Sequence, residues 1–513
     1  MQAHLNKPWD VIVIGGGATG LGVALDAAVR GFDTLLLEQV DFAKGTSSRS
    51  TKLIHGGVRY LSQGDILLVY EALQERGLVL KNAPYLTGNQ EFVVPVYTWG
   101  DLFMYGAGLK FYDFLSRKLS LGKSEVIGRK KVLERLPLLN QEGLKGGVIY
   151  HDGQFDDARM ALAMAHSCVD HGAIVLNHMR VTQLVKKNGK KVSGVVVVDG
   201  VTGDEVVAEA RVVINATGVF TDEIYRMDRP GAKPHIRPSQ GVHIVLDGSF
   251  LESNSAIMIP KTDDGRVLFA IPWMGKVVVG TTDTPVNQIS EEPVALDEEV
   301  GFILRNAGKY LIRQPGRKDI LSVFAGLRPL ASDPDNPDAT REISRRHKIT
   351  LSASGLLSVY GGKWTFYRRM AEETIDKAAR AGMLESRPCG TSHLCLVPVP
   401  ETVKNTRFLI YGKGAAEIEN LIAGNPESGK KLHPAFDYTV AEISWICKNE
   451  MPVTLEDMMA RRTRALFLHA AASMELAPAV AAIMAEQAGW DAKSTGEQIA
   501  SYRALAQNYL AHW

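Results

Sequence analysis

The chain of 513 residues is poor in cysteine and carries almost no net charge. Its four cysteines, Cys168, Cys389, Cys395 and Cys447, are too few for a disulfide framework, and the gap between Cys389 and Cys395 is not that of zinc ligands. Its 58 Lys and Arg balance 57 Asp and Glu, so no overall positive field is available to hold nucleic acid. We therefore expect no structural disulfide, no metal site and no nucleic-acid partner.

Long apolar runs are also missing. No uninterrupted run approaches the ~18 residues that a membrane span needs, and residues 1–9 leave no room for a secretory signal before the first strand-like run. We therefore expect a protein of the reducing cytoplasm. With 45% hydrophobic residues the chain can bury large cores, and its length indicates about three domains.

The N-terminal region contains a strand, a glycine turn, a helix and a second strand. Residues 10–14 form a β-branched apolar run that ends in glycines, apolar residues recur at helical spacing over 18–30, and residues 34–37 are again apolar. This order within about 30 residues is typical of the βαβ unit that binds the ADP half of a dinucleotide.

Three glycines and one acid give this unit its chemistry. Gly15, Gly17 and Gly20 form a G-x-G-x-x-G pattern, which lets the backbone approach a pyrophosphate at the helix N-terminus. Glu38 ends the second strand and is placed to accept hydrogen bonds from ribose hydroxyls. An acid at this position disfavours a 2′-phosphate, so we expect FAD or NAD rather than NADP.

Later segments indicate that the cofactor domain is discontinuous and that other domains are inserted or follow. Further buried strands at 212–214 and 357–360 each end in small residues, and the region of 235–290 alternates as an antiparallel sheet would. Beyond Pro398 the pattern is helical. The fold class is therefore α/β, and the predicted domains are a cofactor domain at 8–85, 150–230 and 320–385, a substrate domain at 86–149 and 231–319, and a helical domain at 395–513.

Polar residues beside glycines form candidate binding segments. Residues 46–51 are rich in hydroxyls, 52–61 carry a histidine, an arginine and a tyrosine around two glycines, and 361–365 open a helix that runs to about residue 380. Arg328 stands before a proline in 326–330. Cations and a phenol brought together from these segments could hold a phosphate, whereas ordinary polar loops are the alternative.

These blocks together resemble the FAD-dependent glycerol-3-phosphate dehydrogenases of the D-amino-acid oxidase superfamily. The resemblance rests on residues 15–20, 46–61 and 361–365, and continues through 156–159, 215–218, 280–283, 326–330 and 461–464. It implies a glutathione-reductase-like FAD domain with a substrate sheet, and oxidation of sn-glycerol 3-phosphate to dihydroxyacetone phosphate by noncovalent FAD. It further implies transfer of electrons to a membrane quinone, and it leaves a homodimer open.

The resemblance also assigns residues. The cofactor set it implies is Gly15, Gly17, Gly20, Glu38, Thr46, Ser47, Ser48, Lys52, Leu53, His55, Val181, Ala216, Gly218, Gly362, Lys363, Trp364 and Thr365. The implied phosphate-binding set is Arg59, Tyr60, Arg328, Arg341 and Lys363, and the implied catalytic set is His243, Arg328, Lys363 and His55.

Oxidation of a secondary alcohol requires a base for the hydroxyl proton, a role that suits histidine near neutral pH. His243 and His55 are the two candidates, and the sequence does not rank them. A buried strand histidine is the alternative for His243, and packing against the flavin is the alternative for His55.

Other functions stay open at this point. Related folds oxidise amines or 2-hydroxy acids, relatives of the same family use oxygen as the acceptor, and a cofactor-binding module without turnover needs only the first βαβ unit. For the membrane, residues 102–118 are aromatic on one side and cationic at the end, which favours peripheral contact with the inner face of the cell membrane. An ordinary packed helix is the alternative.

Overall fold

The computed structural model describes residues 7–332 and 346–511, in which two large sheets and one small one contain the β-strands. In chain order, the strands are β1 (Trp9–Ile14), β2 (Thr34–Leu37), β3 (Leu53–Ile54), β4 (Thr87–Val96), β5 (Glu125–Gly128), β6 (Gly146–Phe155), β7 (Ile174–Leu176), β8 (Met179–Lys187), β9 (Lys191–Asp199), β10 (Glu205–Asn215), β11 (Ile236–Asp247), β12 (Ala256–Ile259), β13 (Leu268–Trp273), β14 (Lys276–Gly280), β15 (Thr284–Pro285), β16 (Ile320–Ala331), β17 (His347–Leu351), β18 (Leu357–Gly361), β19 (Lys431–His433) and β20 (Phe436–Thr439).

Helices follow the same order. The α-helices are α1 (Ala18–Val29), α2 (Ile66–Asn82), α3 (Trp99–Ser116), α4 (Arg129–Arg135), α5 (Asp157–Asp170), α6 (Thr221–Asp228), α7 (Asp297–Gly308), α8 (Tyr367–Arg380), α9 (Gly414–Gly424), α10 (Val440–Asn449), α11 (Ala465–Leu468), α12 (Ala470–Ala488) and α13 (Ala492–Gln507). A 3₁₀ segment at Val58–Gln63 and a π-helical turn at Asp457–Arg462 matter for the site. Within the described residues, no helix combines the length and the apolarity needed to cross a bilayer.

The first sheet confirms the predicted α/β fold class. Its order is β17-β18-β10-β1-β2-β7, with parallel pairing from β18 to β7. Successive β1 residues point to opposite faces, so Val11 and Val13 pack with α1 and α8, whereas Ile12 and Ile14 pack with the β8–β9 hairpin. A parallel sheet needs cover on both faces, which explains why β1 is apolar and buried from Val11 to Ile14.

The second sheet contains the antiparallel strands expected from 235–290, and it continues into earlier strands through a parallel pairing of β12 with β4. Its order is β15-β11-β14-β13-β12-β4-β6-β3, with β16 beside β11 and β5 beside β6. In β11, Val242, Ile244 and Leu246 face a core that includes α4 and α7. The period of two therefore directs Gly241 and His243 to the opposite face.

One strand that matters for the site, β16, belongs to a different sheet from the one that the predicted domain ranges imply. β16 lies inside the range given to the cofactor domain, yet it pairs with β11 from Ile236↔Ala331 to Leu246↔Ile320. Strand pairing depends on partners that are distant in sequence, and local composition does not encode them. The ranges themselves stay predictions.

The C-terminal region is helical, as expected, and it also contains the small sheet of β19 and β20. Its core includes Phe467 and Leu466 from α11 together with Val245, Trp273 and Phe324 from the second sheet. The C-terminal helices and one face of the second sheet therefore share one apolar core.

Candidate active site

Two cavities meet beside the glycine turn. The first is lined by the β1–α1 turn, the end of β2 and the starts of the segments after β10 and β18. The second is lined by residues of β11 and β16 and of the segment after β3. Both walls contain Thr46, Pro329, Gly362, Lys363 and Trp364, so the cavities adjoin.

The glycine turn and Glu38 form one end of the first cavity. Gly16 N donates to Glu38 Oε2 at 2.6 Å, and Val40 N donates to Oε1 at 3.0 Å. Burial raises the pKa of Glu38 above its usual value. A Cβ at Gly20 would lie 1.8 Å from the carbonyl oxygen of Gly15, so only glycine lets α1 pack so close to the turn.

The hydroxyl-rich segment divides between the cavity and the interior. Thr46 and Ser47 line the first cavity, and Ser47 also accepts from Ala18 N at 2.9 Å and, through its carbonyl, from Trp364 Nε1 at 2.9 Å. Ser48 and Lys52 line neither cavity. Lys52 has a left-handed backbone with φ of 62°, and its ammonium points inward to a carboxylate. Both residues shape the loop, and their assignment to the cofactor stays a prediction.

The second cavity gathers polar groups from four chain segments. Tyr60 comes from the Val58–Gln63 segment, His243 from β11, Arg328 from β16 and Lys363 from the turn after β18. Lys363 Nζ lies 3.8 Å from the centre of the Tyr60 ring. His55, Leu53 and Thr365, predicted for the cofactor, line this second cavity as well.

Arg328 is held over β11 by several acceptors. Its Nη1 lies 3.2 Å from the Gln240 carbonyl and 3.2 Å from Asp283 Oδ1, and its Nη2 donates to the Thr282 carbonyl at 2.8 Å. A Cβ at position 241 would lie 2.3 Å from Nη2, so Gly241 makes the room for this side chain. The guanidinium is thus oriented before any ligand binds, which favours recognition of a phosphate.

His243 is buried, with 2% of its surface exposed, at the back of the second cavity. Its Nε2 lies 2.9 Å from Thr51 Oγ1, and its ring stacks on Phe324 with centroids 4.9 Å apart. Its Nδ1 has no hydrogen-bond partner among the described residues. Burial, with added positive charge from Lys52 and Arg328, lowers the pKa of His243 well below its usual value. The ring is therefore neutral at pH 7 and able to accept a proton.

Of the remaining predicted site residues, some line the first cavity and others lie outside the described part of the chain. Val181, Ala216 and Gly218 line the first cavity with Gly15 and Gly17. Arg341 and the side chain of Arg59 lie outside the described residues. In the part of the chain that is described, no group of three His, Cys, Asp or Glu side chains is arranged to hold a metal ion.

Several cavity residues escaped the sequence prediction. Thr51 lay in the hydroxyl-rich segment and Asp283 in a segment that resembles the family, but neither had been given a role. Gln39 Nε2 donates to Glu291 Oε1 at 2.8 Å, and both residues line the first cavity. Glu291 arrives from the segment after β15, and nothing in its sequence surroundings signals a cofactor site.

The chain matches two family descriptions, "FAD dependent oxidoreductase" over residues 10–368 and "C-terminal domain of alpha-glycerophosphate oxidase" over residues 352–495. A human protein named "Glycerol-3-phosphate dehydrogenase, mitochondrial" is 39% identical over 530 residues, which cover 96% of this chain and 72% of that protein. The chain belongs to the FAD-dependent glycerol-3-phosphate dehydrogenase family.

Other members of the family are similar over comparable lengths. A Schizosaccharomyces pombe protein of the same name is 36% identical over 553 residues, covering 95% of this chain and 85% of that protein. The glycerol-3-phosphate dehydrogenase of Bacillus halodurans, solved with FAD, has a TM-score of 0.81 at 31% identity and covers 99% of this chain and 96% of its own. A Mycoplasma pneumoniae glycerophosphate oxidase, with a TM-score of 0.59 at 15% identity over 76% of this chain and 98% of its own, shows the fold alone.

As a member of the glycerol-3-phosphate dehydrogenase family, the protein uses FAD, and its first cavity fits that group. The end with Glu38 and Gly16 supplies an acceptor for ribose hydroxyls, and the N-terminus of α1 supplies peptide N–H groups for a pyrophosphate. Thr46, Ser47 and the Gly362–Lys363 turn lie where the first cavity passes into the second. The residues that would hold FAD are therefore continuous with those of the second cavity.

Proposed function

We propose that the protein oxidises sn-glycerol 3-phosphate to dihydroxyacetone phosphate and passes the electrons to a membrane quinone. One observation carries the first half: a cavity that shares a wall with the FAD site brings Arg328 and Lys363 together with a buried, neutral His243. Fixed cations suit a phosphate ester, and a neutral imidazole suits the removal of a hydroxyl proton.

We assign the phosphate group to the cations of the second cavity. Arg328 offers a planar fork whose position is fixed by Asp283 and backbone carbonyls, and Lys363 adds a point charge above Tyr60. Arg59 and Arg341 remain proposed members of this set. A carboxylate substrate would need fewer cations, which is why a phosphate ester is favoured over an amino or 2-hydroxy acid.

We assign the proton to His243 rather than to His55. His243 Nε2 is oriented by Thr51 and its ring is fixed against Phe324, so the base is preorganised. When bound, FAD would accept the hydride from the carbon that bears the hydroxyl group. The hydroxyl oxygen of the same carbon gives its proton to His243. Arg328 holds the negative phosphate in place while His243 takes the proton.

An anaerobic titration of the FAD-loaded protein tests this function. Addition of sn-glycerol 3-phosphate is expected to bleach the oxidised-flavin absorbance, whereas glycerol, D-alanine and L-lactate should not, because they lack the phosphate. Bleaching by D-alanine or L-lactate alone would transfer the assignment to an amino-acid or hydroxy-acid oxidation. Rapid formation of hydrogen peroxide in air would favour an oxygen-using oxidase over a quinone-linked enzyme.

The quinone proposal is supported by the exposed face of α3. Trp99, Phe103 and Phe114 are 68%, 81% and 75% exposed on it, and Met104 and Phe111 are exposed as well. Its opposite face is buried through Leu109 and Tyr112. Lys110 within the helix and Arg117 and Lys118 directly after it suit anionic lipid headgroups.

This aromatic face, defined as Trp99, Phe103, Met104, Phe111 and Phe114, belongs to a helix whose opposite, buried face packs beside the second cavity. Helix α3 contacts the 3₁₀ segment Val58–Gln63, which carries Tyr60 of the second cavity. An enzyme seated on a bilayer by this face would hold its flavin cavity close to lipid-dissolved quinone.

Replacing Phe103 and Phe114 by serine is expected to abolish co-sedimentation with vesicles containing anionic lipid, because the apolar area that enters the interface is lost. Turnover with a soluble dye should stay unchanged, while reduction of quinone in vesicles should fall. Val201→Ser is the matched control, since Val201 is 64% exposed in the turn between β9 and β10. Undiminished vesicle binding by the double variant would remove α3 from the membrane proposal.

A further inference from the structure

A buried cluster of charges lies behind the second cavity and has no part in the proposed chemistry. It consists of Lys52, Asp157 and Arg464, which we call the ion triad, and each member is 1% exposed or less. Lys52 Nζ lies 2.7 Å from Asp157 Oδ2, and Arg464 Nη2 lies 3.0 Å from Asp157 Oδ1. Charges removed from water so completely are tolerated only where partners satisfy them.

The ion triad holds the loop that presents Thr51. Asp157 Oδ2 accepts from Ser50 N at 3.1 Å and from Ser50 Oγ at 2.7 Å. The Ser48 carbonyl accepts from both Lys52 Nζ at 2.8 Å and Arg464 Nη2 at 2.9 Å. The backbone is thus fixed on both sides of Thr51, whose hydroxyl lies 2.9 Å from His243 Nε2.

Arg464 reaches His243 by a second route, through stacked rings. Its guanidinium lies 4.4 Å from the centre of the Phe467 ring. Phe467 meets Phe324 edge-on at 5.0 Å, and Phe324 stacks on His243 at 4.9 Å and 16°. The same arginine therefore supports both the hydroxyl partner and the flat face of the imidazole.

We infer that Lys52 and Arg464 are positioning residues that fix the contact between Thr51 and His243, so that the C-terminal helical domain completes the active site from behind. Both roles rest on the proposed function of His243 as proton acceptor. Neither residue lines either of the two cavities described above, so each acts through Thr51 or Phe324 rather than on the substrate.

The charge of Lys52 also affects the pKa of His243, an effect that packing alone would not have. The charged groups that act on His243 are Lys52, paired with Asp157, and Arg328, paired with Asp283; Arg464 lies beyond Phe467. Burial lowers the pKa of Lys52 to about 7, so its charge is present in the acid range in which His243 takes up a proton. Loss of this charge therefore raises the pKa of His243.

The test measures kcat, KM and the pH dependence of kcat/KM for the FAD-loaded variants Lys52→Met, Arg464→Met, Thr51→Val and Thr51→Ser with a soluble acceptor. We expect kcat to fall by about 10- to 100-fold in the first three, with KM and flavin content little changed, because the base is misplaced. Thr51→Ser, which keeps the hydroxyl, should keep kcat close to the wild-type value, in contrast to Thr51→Val. In Lys52→Met the acid limb of kcat/KM should move to higher pH.

Controls separate positioning from folding and from the base assignment. Arg407→Met removes a guanidinium of the same domain that pairs with Glu442 at 2.9 and 2.6 Å, and it should lower thermal stability without changing kcat or the acid limb.

Should Lys52→Met fail to fold, the variants Arg464→Met, Thr51→Val and Thr51→Ser decide whether the positioning roles hold. Wild-type kcat in Thr51→Val and Arg464→Met, beside loss of turnover in His243→Gln, would overturn the positioning roles alone. Full turnover in His243→Gln would overturn the base assignment and these roles together.

Discussion

Replacing Arg328 by methionine is expected to lower kcat/KM for sn-glycerol 3-phosphate by about 10²- to 10³-fold, with flavin still bound. Methionine keeps most of the apolar stem but removes the fork that Asp283, Gln240 and Thr282 orient toward the cavity. The cation is fixed before binding, so its loss removes stabilisation that a mobile surface lysine could not replace.

Steady-state kinetics, with the flavin absorbance of the purified variant, measure this effect. Arg313→Met is the control, because Arg313 is an exposed arginine outside both cavities that pairs with Asp319 at 2.9 Å. An unchanged kcat/KM in Arg328→Met would take Arg328 out of the substrate site. Loss of flavin instead of turnover would assign it to the cofactor.

Replacing His243 by glutamine is expected to lower kcat by about 10²- to 10⁴-fold and to remove the acid limb of the pH profile. The direction of this pH effect follows from the burial of the His243 ring. Burial, Lys52 and Arg328 hold the pKa of His243 well below 6.5, so the neutral base is present at pH 7 and is lost only as the pH falls through that lowered pKa. The wild-type kcat/KM should therefore stay level from pH 7 to below pH 6.5.

Parallel measurement of His55→Gln distinguishes the two histidines that the sequence left unranked. His55 lines the second cavity as well, and its carbonyl accepts from Thr365 Oγ1 at 3.3 Å. Loss of the acid limb in His55→Gln, with the limb intact in His243→Gln, would reverse the assignment. A smaller loss of turnover with an intact limb would fit a packing role for His55.

The cofactor end of this protein could be predicted from the sequence alone. Strand β1, the Gly15–Gly20 turn, α1, β2 and Glu38 follow one another along the chain, and each depends on contacts between near neighbours. Helical and strand periods are local properties, so the pattern of apolar residues predicts the elements and the turn that joins them. The same holds for Lys363, which directly precedes the turn into α8.

The arrangement of the second cavity, which we propose binds the substrate, was decided by tertiary structure. Arg328 and His243 share a cavity because β16 pairs with β11 in a register that places Ser239 opposite Arg328 and His243 opposite Phe324. No local signal specifies which distant strands pair, because that choice is made by the packing of whole sheets.

The directions in which side chains point were also decided by tertiary structure. The sequence indicated that the 46–52 segment approaches the cofactor, but it could not show that Lys52 turns inward to Asp157 and Arg464. It predicted a separate C-terminal helical domain, but not that Arg464 lies behind His243. The residues themselves determine which groups are available for chemistry, whereas burial and long-range pairing determine which of them meet, because both depend on the whole folded chain.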